Sequence, residues 1–282
     1  MGSAPAYNAA LHRNFRQKVW QHYHAHARNH LPWRQLQAAG GGLDPYGVLV
    51  SEFMLQQTQV SRVAPKYVQF MRRFPNLQAL ACAPLAAVLQ QWSGLGYNRR
   101  AQYLWHTAQQ VVAEYNGQLP GTVDALRRLP GIGPNTAGAI VAYAFNQPAP
   151  FIETNIRTVY IHHFFSKAAT VPDRAILSLV QRDLAATPNP RQWYWALMDY
   201  GTYLKQTHGN LSQKSSQYRP QPAFNGSRRQ IRGQVLRLLA TGPCSKQTLQ
   251  KQIPDARLGE VLATLSQEGL IQKSAKTFRL PS

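Results

Sequence analysis

The chain has 282 residues, enough for one large or two smaller domains, and a 44% hydrophobic content that can fill packed cores. Lysine and arginine number 31 against 11 acidic residues, a formal charge of +20 whose sign and size suit a polyphosphate, so nucleic acid is the first partner class to consider. No apolar run reaches the roughly 18 residues of a spanning helix and no basic-then-apolar signal opens the chain, which argues against a membrane partner and for a cytoplasmic protein, nucleoid-associated if bacterial.

The opening residues 1–6 read as a flexible lead with no chemistry. From about residue 9 to residue 206, apolar residues recur at helical spacing, interrupted by Pro and Gly, with few alternating β-branched runs; the prediction is mainly α. His22, His24, His26 and His30 punctuate the first helix, and His22 shares a face with His26. A metal site could be built there, but an exposed histidine-rich face is the favoured reading and no role is assigned. Cys82 and Cys244 stand far apart in sequence, so neither a disulfide framework nor a cysteine-rich metal site is expected, in keeping with a reducing compartment.

Between residues 126 and 145 the sequence reads as a helix, the tight turn Pro130-Gly131-Ile132-Gly133-Pro134, and a second helix with Pro134 at its favoured first position. Gly131 and Gly133 permit the turn and leave no side chain between its amides and a ligand. Those amides and the positive end of the second helix form an anion site suited to a DNA phosphate. Residues 208–227, rich in Ser, Gln, Pro, Asn and Gly and without periodicity, read as a linker. Beyond it, 228–240 is helical, Ser245 can cap a helix through 252, Asp255 can cap another through 268 that stops at Gly269, and 270–280 reads as a hairpin. Three helices and a hairpin resemble a winged helix. This tail has ten basic and three acidic residues, so it too could hold phosphate backbone.

LPGIGPNTAGAI, followed 18 residues after Asn135 by the acidic residue of FIETNIRTV, resembles the helix-hairpin-helix DNA glycosylase superfamily. The resemblance is strongest to MutY-type adenine glycosylases and extends through LPWR at 31–34, DPYGVLVSEFMLQQTQV at 44–60, the GLGY segment at 74–104 and WALMDYG at 195–201, covering nearly all of the first 205 residues. It implies a domain of residues 1–207 in two helical lobes with the base pocket between them, one from 49 to about 159 and the other from the first helix plus 161–206. A linker and a winged helix at 228–282 would follow. Glu52 lies in an apolar run in a chain with few acids, which makes it a candidate for a raised pKa and for general acid work; the resemblance has it protonate the base at N7. Glu153 stands where the family bears an aspartate that stabilises the oxocarbenium-like sugar, and its extra methylene is a departure.

By the same resemblance Gln56 and Tyr97 enter the base stack while the target nucleotide is extruded, and Trp33 and Arg34 form part of the base pocket. Gln57, Arg99, Arg100, Gly131, Ile132, Gly133, Asn135 and Thr136 are the candidate DNA contacts, with Arg99 and Arg100 as phosphate ligands beside the GLGY turn. Asn135 occupies the place where bifunctional relatives carry the Schiff-base lysine, so a glycosylase without a strong lyase step is expected. Lys205 falls where relatives place the first of four cluster cysteines, so no iron-sulfur cluster and no other cofactor is expected, although a structural cation could bridge the hairpin carbonyls to phosphate. A NUDIX-like domain, which reads 8-oxoguanine in the family, is replaced by the winged helix. The expectation is a monomeric base-excision enzyme acting on double-stranded DNA, with adenine opposite 8-oxoguanine or guanine as lead substrate. An oxidised or deaminated pyrimidine such as 5-hydroxyuracil or uracil, and an inactive DNA-binding regulator, are the alternatives.

Overall fold

The computed structural model describes residues 9–36 and 42–281; the opening segment read as a lead lies outside them. The chain is mainly helical, with helices α1 (Ala9–His26), α2 (Pro45–Leu55), α3 (Val60–Arg73), α4 (Leu77–Ala81), α5 (Leu85–Trp92), α6 (Arg99–Glu114) and α7 (Val123–Leu126). There follow α8 (Pro134–Phe145), α9 (Thr154–Phe164), α10 (Asp173–Ala185), α11 (Pro190–His208), α12 (Arg228–Leu239), α13 (Lys246–Gln252) and α14 (Leu258–Gln267). The strands β1 (Cys244–Ser245), β2 (Gln272–Lys273) and β3 (Thr277–Arg279) form an antiparallel sheet in the order β1-β3-β2. Among the described residues no helix is long and apolar enough to cross a membrane.

Two compact units result. The first takes the described residues up to Val48 with Gly121–Arg127 and Ile132–Pro220; the second takes Leu49–Pro120, Arg128–Gly131 and the chain from Gln221 onward. This division differs from the expected lobes, because α8 and α9 go with α1, α10 and α11. The physical reason is the composition of α8, whose residues Ala137 through Ala144 are all buried and must be covered by α7 and α11.

In the first unit Phe15 and Val19 of α1 sit in the core, the Phe15 ring meeting Tyr160 at 5.2 Å and Trp193 at 5.9 Å between centroids. Buried Asp183 accepts the Tyr160 hydroxyl at 2.8 Å and lies 3.2 Å from His12 Nδ1. Helices α9 and α11 pack together, and Gly201 makes their approach feasible: a Cβ there would stand 2.5 Å from the Asn155 carbonyl oxygen. His163 lies in the same seam, 3.0 Å from the Tyr200 hydroxyl and edge-on to Phe15. Burial, with His162 and Lys18 nearby, lowers its pKa to about 4.

The native state therefore resists protonating His163, while the unfolded chain titrates near 6.5. Stability from this group is whole above about pH 6.5 and is lost as pH falls toward 4. After discounting for partial exposure we expect about 2 kcal/mol to be lost over that window. Urea unfolding of His163→Gln should show a shallower fall than the parent between pH 7 and pH 4.5, and parallel curves would refute the assignment.

The stretch read as a linker is folded at its start. A 3-10 turn at Leu211–Lys214 packs on α9, and the backbone of Val171 pairs with Lys214 and Ser216 at 2.8 and 3.0 Å. Asp173 ties the segment down, accepting from the Ser215 hydroxyl at 2.7 Å and from Arg157, with Gln217 Oε1 accepting the Asp173 amide at 2.9 Å. Burial alone would raise the Asp173 carboxyl, but Arg157 and Ser215 outweigh it and hold it below the usual range.

In the second unit α4, α5 and α6 pack around Leu80, Trp92, Leu104 and Val111. The C-terminal segment has its own core of Ile231, Val235, Leu249, Val261, Leu265 and Phe278. Ser227 and Ser245 cap α12 and α13 through the amides of Gln230 and Thr248. Asp255 does not cap α14 as expected: its carboxylate accepts the Arg257 amide at 2.9 Å, and α14 starts one residue later. The segment is anchored to the α3–α6 helices by the Ala86 amide donating to the Pro281 carbonyl at 3.2 Å, Gln90 Nε2 to the Ala240 carbonyl at 3.2 Å, and Gln102 Nε2 to the Glu268 carbonyl at 2.8 Å.

Candidate DNA-binding and base-excision site

The hairpin turn is built as its glycines require, though they act differently. Thr122 caps α7 by accepting from the Ala125 amide at 3.3 Å, and Leu126, Leu129 and Ile132 are buried beneath the turn. Gly131 has φ +73, and a Cβ there would meet the Tyr103 side chain at 2.7 Å, so conformation and space both demand glycine. Gly133 has ordinary φ, and a Cβ added there would meet nothing within 4 Å; it leaves open ground at the start of α8, where it serves as N-cap. Ile132 was expected among the DNA contacts, but its side chain is core, which leaves only its backbone for a phosphate. Asn135 is exposed and Thr136 half-buried on the first turn of α8.

Asn135 links the hairpin to the sugar-stabilising candidate. Its Oδ1 accepts from the Ile152 amide at 3.2 Å, fixing the backbone immediately before Glu153. Glu153 is the N-cap of α9, its Oε1 accepting from the amides of Asn155 at 2.7 Å and Ile156 at 3.2 Å. Burial pushes its carboxyl up from the ordinary range, against the pull of the Ile156 and Asn155 amides. Held by the positive end of a helix and half-buried, this carboxylate is anchored in direction and short of solvation.

In the second unit Glu52 is half-buried near the middle of α2, between buried Ser51 and Phe53. The C-terminal end of α2 and the GLGY turn are knitted together by Arg100. Its guanidinium donates to the carbonyls of Phe53 at 2.8 Å, Met54 at 2.9 Å and Gly96 at 3.1 Å, to the Thr58 hydroxyl at 2.9 Å, and also to the carbonyls of Gln56 and Leu95. Burial lowers its pKa to about 10. Arg100 was expected as a phosphate ligand, and the structure corrects this: the side chain is buried and its cation is spent on the backbone oxygens that shape both loops. Arg99 remains exposed, donating to the Tyr103 hydroxyl at 2.7 Å.

The two loops that Arg100 joins carry the stack-insertion candidates. Gln57 and Tyr97 adopt φ +54 and +48, a left-handed conformation unfavourable for their side chains and typical of positions whose surroundings hold them for use. Gln56, Gln57, Tyr97 and Arg99 line a cavity of about 310 Å³ together with Arg229, Arg232 and Glu268 from the C-terminal segment.

Arg34 also departs from expectation. Asp199 accepts from both of its terminal nitrogens at 2.8 and 2.9 Å, and Arg28 donates to the same carboxylate at 2.6 Å. With its face over Trp195, Arg34 is a buried clamp between the LPWR segment and α11, and no free cation remains to meet a base. Burial alone would raise Asp199, but Arg34 and Arg28 hold it below the usual range. Trp33 beside it is half-buried. Asp199 was missed although it lies inside WALMDYG; an acid in so basic a chain, buried in a helix, was the available signal.

The residues after α11 do not suit a thiolate-held cluster. Positions 205–216 contain no cysteine, and the two cysteines of the sequence, Cys82 and Cys244, are free. Among the described residues no group of three His, Cys, Asp or Glu side chains could hold a metal ion, the histidines of α1 included.

Comparison with known proteins gives the family and the fold. Residues 50–181 match the model of the HhH-GPD superfamily of base excision DNA repair proteins. The adenine DNA glycosylase of Mycolicibacterium smegmatis is 33% identical over 272 residues, covering 90% of this chain and 91% of its own, and that of Mycobacterium tuberculosis is 32% identical over 231 residues, covering 74% and 73%. The adenine DNA glycosylase of Buchnera aphidicola subsp. Baizongia pistaciae is 35% identical over 193 residues, of which this chain spans about half the length, 52%. In fold, a thermostable thymine-DNA glycosylase matches with a TM-score of 0.57 at 23% identity over 68% of this chain and 86% of that one. An endonuclease III trapped on DNA matches with 0.55 at 18% identity, over 70% and 87%.

Proposed function

Since the chain belongs to the HhH-GPD superfamily of base excision DNA repair proteins, on its adenine DNA glycosylase branch, we propose that it releases adenine mispaired with 8-oxoguanine or guanine from double-stranded DNA. The observation that carries this reading is Glu153, a carboxylate aimed by the α9 amides, low in solvation, and fixed to the hairpin through Asn135. What supports adenine is the Glu52 segment together with a likeness to the Mycolicibacterium smegmatis enzyme that covers 90% of this chain.

In this mechanism protonated Glu52 delivers its proton to N7 of the extruded base. The bond from C1′ to N9 breaks, its electron pair leaving with the base, while the Glu153 carboxylate stabilises the cationic sugar. Water then adds to C1′ and gives up its proton, leaving an abasic site. Asn135 has no amine to attack C1′, so strand cleavage by Schiff-base chemistry is weak, and the enzyme works as a monomer without an iron-sulfur cluster or other cofactor. The C-terminal segment acts as a winged helix on the DNA side, and Arg99 and the hairpin backbone contact phosphate.

The test is single-turnover base release from labelled duplexes presenting adenine, uracil, 5-hydroxyuracil or thymine opposite guanine or 8-oxoguanine, with alkali to reveal abasic sites. Adenine release opposite 8-oxoguanine is expected, and Glu52→Gln should slow it by about 10²- to 10⁴-fold without loss of binding. Release of pyrimidines alone would overturn the adenine assignment, and binding without release of any base would point to a regulator.

A further inference from the structure

The C-terminal segment does more in this structure than add positive charge, because it grips one of the two insertion loops. Tyr97 has two guanidinium groups over its ring, Arg100 at 5.4 Å and Arg229 of α12 at 5.3 Å from the centroid. Its hydroxyl accepts from Arg229 Nη1 and from the Gln221 amide. Arg100 is held by six oxygens, so one of the two cations on the ring is firmly anchored. The other cation belongs to a residue more than a hundred positions away whose own helix is pinned, since Arg232 pairs with Glu268 and Gln102 donates to the Glu268 carbonyl.

A residue at φ +48 with a bulky ring keeps that conformation only if its surroundings over-determine it. The C-terminal segment supplies part of those surroundings, through Gln221 and Arg229. Nor is Arg229 simply a spare cation for phosphate, because its terminal nitrogens already donate to the Tyr97 hydroxyl and the Pro222 carbonyl. The cavity beside the ring, about 310 Å³, leaves space next to the held side chain for a nucleotide to meet it.

We propose that Arg229, assisted by Gln221, is a positioning residue that presets the Tyr97 ring for entry into the base stack, so that the C-terminal segment takes part in opening the duplex. This rests on the reading of Tyr97 as an insertion residue. Preorganisation of this kind lowers the cost of inserting the ring, because the ring no longer has to be ordered at the moment of insertion.

The test is a double-mutant cycle of Arg229→Ala with Tyr97→Ala on the full chain, reading extrusion by 2-aminopurine fluorescence beside the target base, and duplex affinity separately. Arg229→Ala should slow extrusion about tenfold in the parent and have no further effect in the Tyr97→Ala background. Equal slowing in both backgrounds would overturn the proposal and make Arg229 a plain backbone contact. Tyr97→Ala extruding at the parental rate would instead overturn the insertion reading, and the proposal with it. A second cycle, Gln221→Ala with Tyr97→Phe, leaves α12 untouched and guards against a folding defect: the two should slow extrusion singly and not add, and full additivity would refute the clasp.

Discussion

Glu153→Gln is expected to bind the mispaired duplex as the parent does and to release base at least ~10²- to 10³-fold more slowly, the usual cost of removing one preorganised electrostatic partner of a transition state. Glutamine has nearly the same shape and keeps the oxygen that accepts from Asn155 and Ile156, so the cap of α9 survives. What disappears is the negative charge. The same substitution has a second signature in stability. Burial raises the folded pKa of Glu153 above its unfolded value, so the native state binds the proton more tightly than the unfolded chain. Its favourable contribution is therefore present below the unfolded pKa and lost as pH rises through the folded one, leaving an ionised, under-solvated carboxylate that costs stability at neutral pH. Glutamine has no such cost, and its thermal midpoint should equal or exceed the parent's at pH 7.5, with the advantage vanishing in acid. Parental turnover by Glu153→Gln would sink the mechanism. A lower midpoint at neutral pH would show that the helix end repays the charge in full.

Gly201→Ala should damage both the fold and the site. The added methyl would stand 2.5 Å from the Asn155 carbonyl oxygen and 2.7 Å from its Cβ, and neither neighbour is the loose end of a flexible side chain. Overpacking of this kind costs on the order of 3 kcal/mol, which for a unit of this size lowers the thermal midpoint by roughly 6–12 °C. Asn155 also donates the shorter of the two amide bonds that aim Glu153, so pushing α9 away from α11 turns the carboxylate with it. A displacement of about 1 Å there is worth on the order of a hundredfold in rate. Calorimetry and single-turnover release on the same preparation check both effects. Gly201→Ala with a parental midpoint and rate would mean that the α9–α11 seam is softer than its packing indicates.

The parts of this protein that could be read from sequence are those whose logic is local. The hairpin announces itself through Pro130, Gly131 and Pro134, and Glu153 through its place 18 residues after Asn135, where the family resemblance expects an acid. The serine caps of α12 and α13 are equally local. Residues whose meaning depends on a distant partner were misjudged. Arg34 looked like a cation for a base until Asp199, 165 positions on, took both of its nitrogens. Arg100 beside a glycine turn looked like a phosphate ligand, and only folding reveals the carbonyls of α2 converging on it from 44 to 47 positions away. The segment after α11 looked like free linker because its composition is polar, yet Asp173 and Val171 give its backbone partners. Strand β1, two residues long and paired with a strand more than thirty positions later, carries no periodic signal at all.

The division of the chain into two interleaved units bears on when the protein becomes competent during its synthesis. The unit that contains Tyr97 and the GLGY turn needs residues 49–120 and then, after an intervening stretch of about a hundred residues, everything from Gln221 onward. At the ~5–20 residues per second of translation, that gap lasts on the order of 5–20 seconds. Through that interval the helices from α3 to α6 have left the ribosome while Arg229, Gln221 and the Pro281 carbonyl that meets α5 have not. A nascent chain thus has its basic hairpin before it has a set Tyr97, and it acquires the second only when the last helices and the sheet have emerged. The order of synthesis leaves Tyr97 without its partners Gln221 and Arg229 until those residues have emerged.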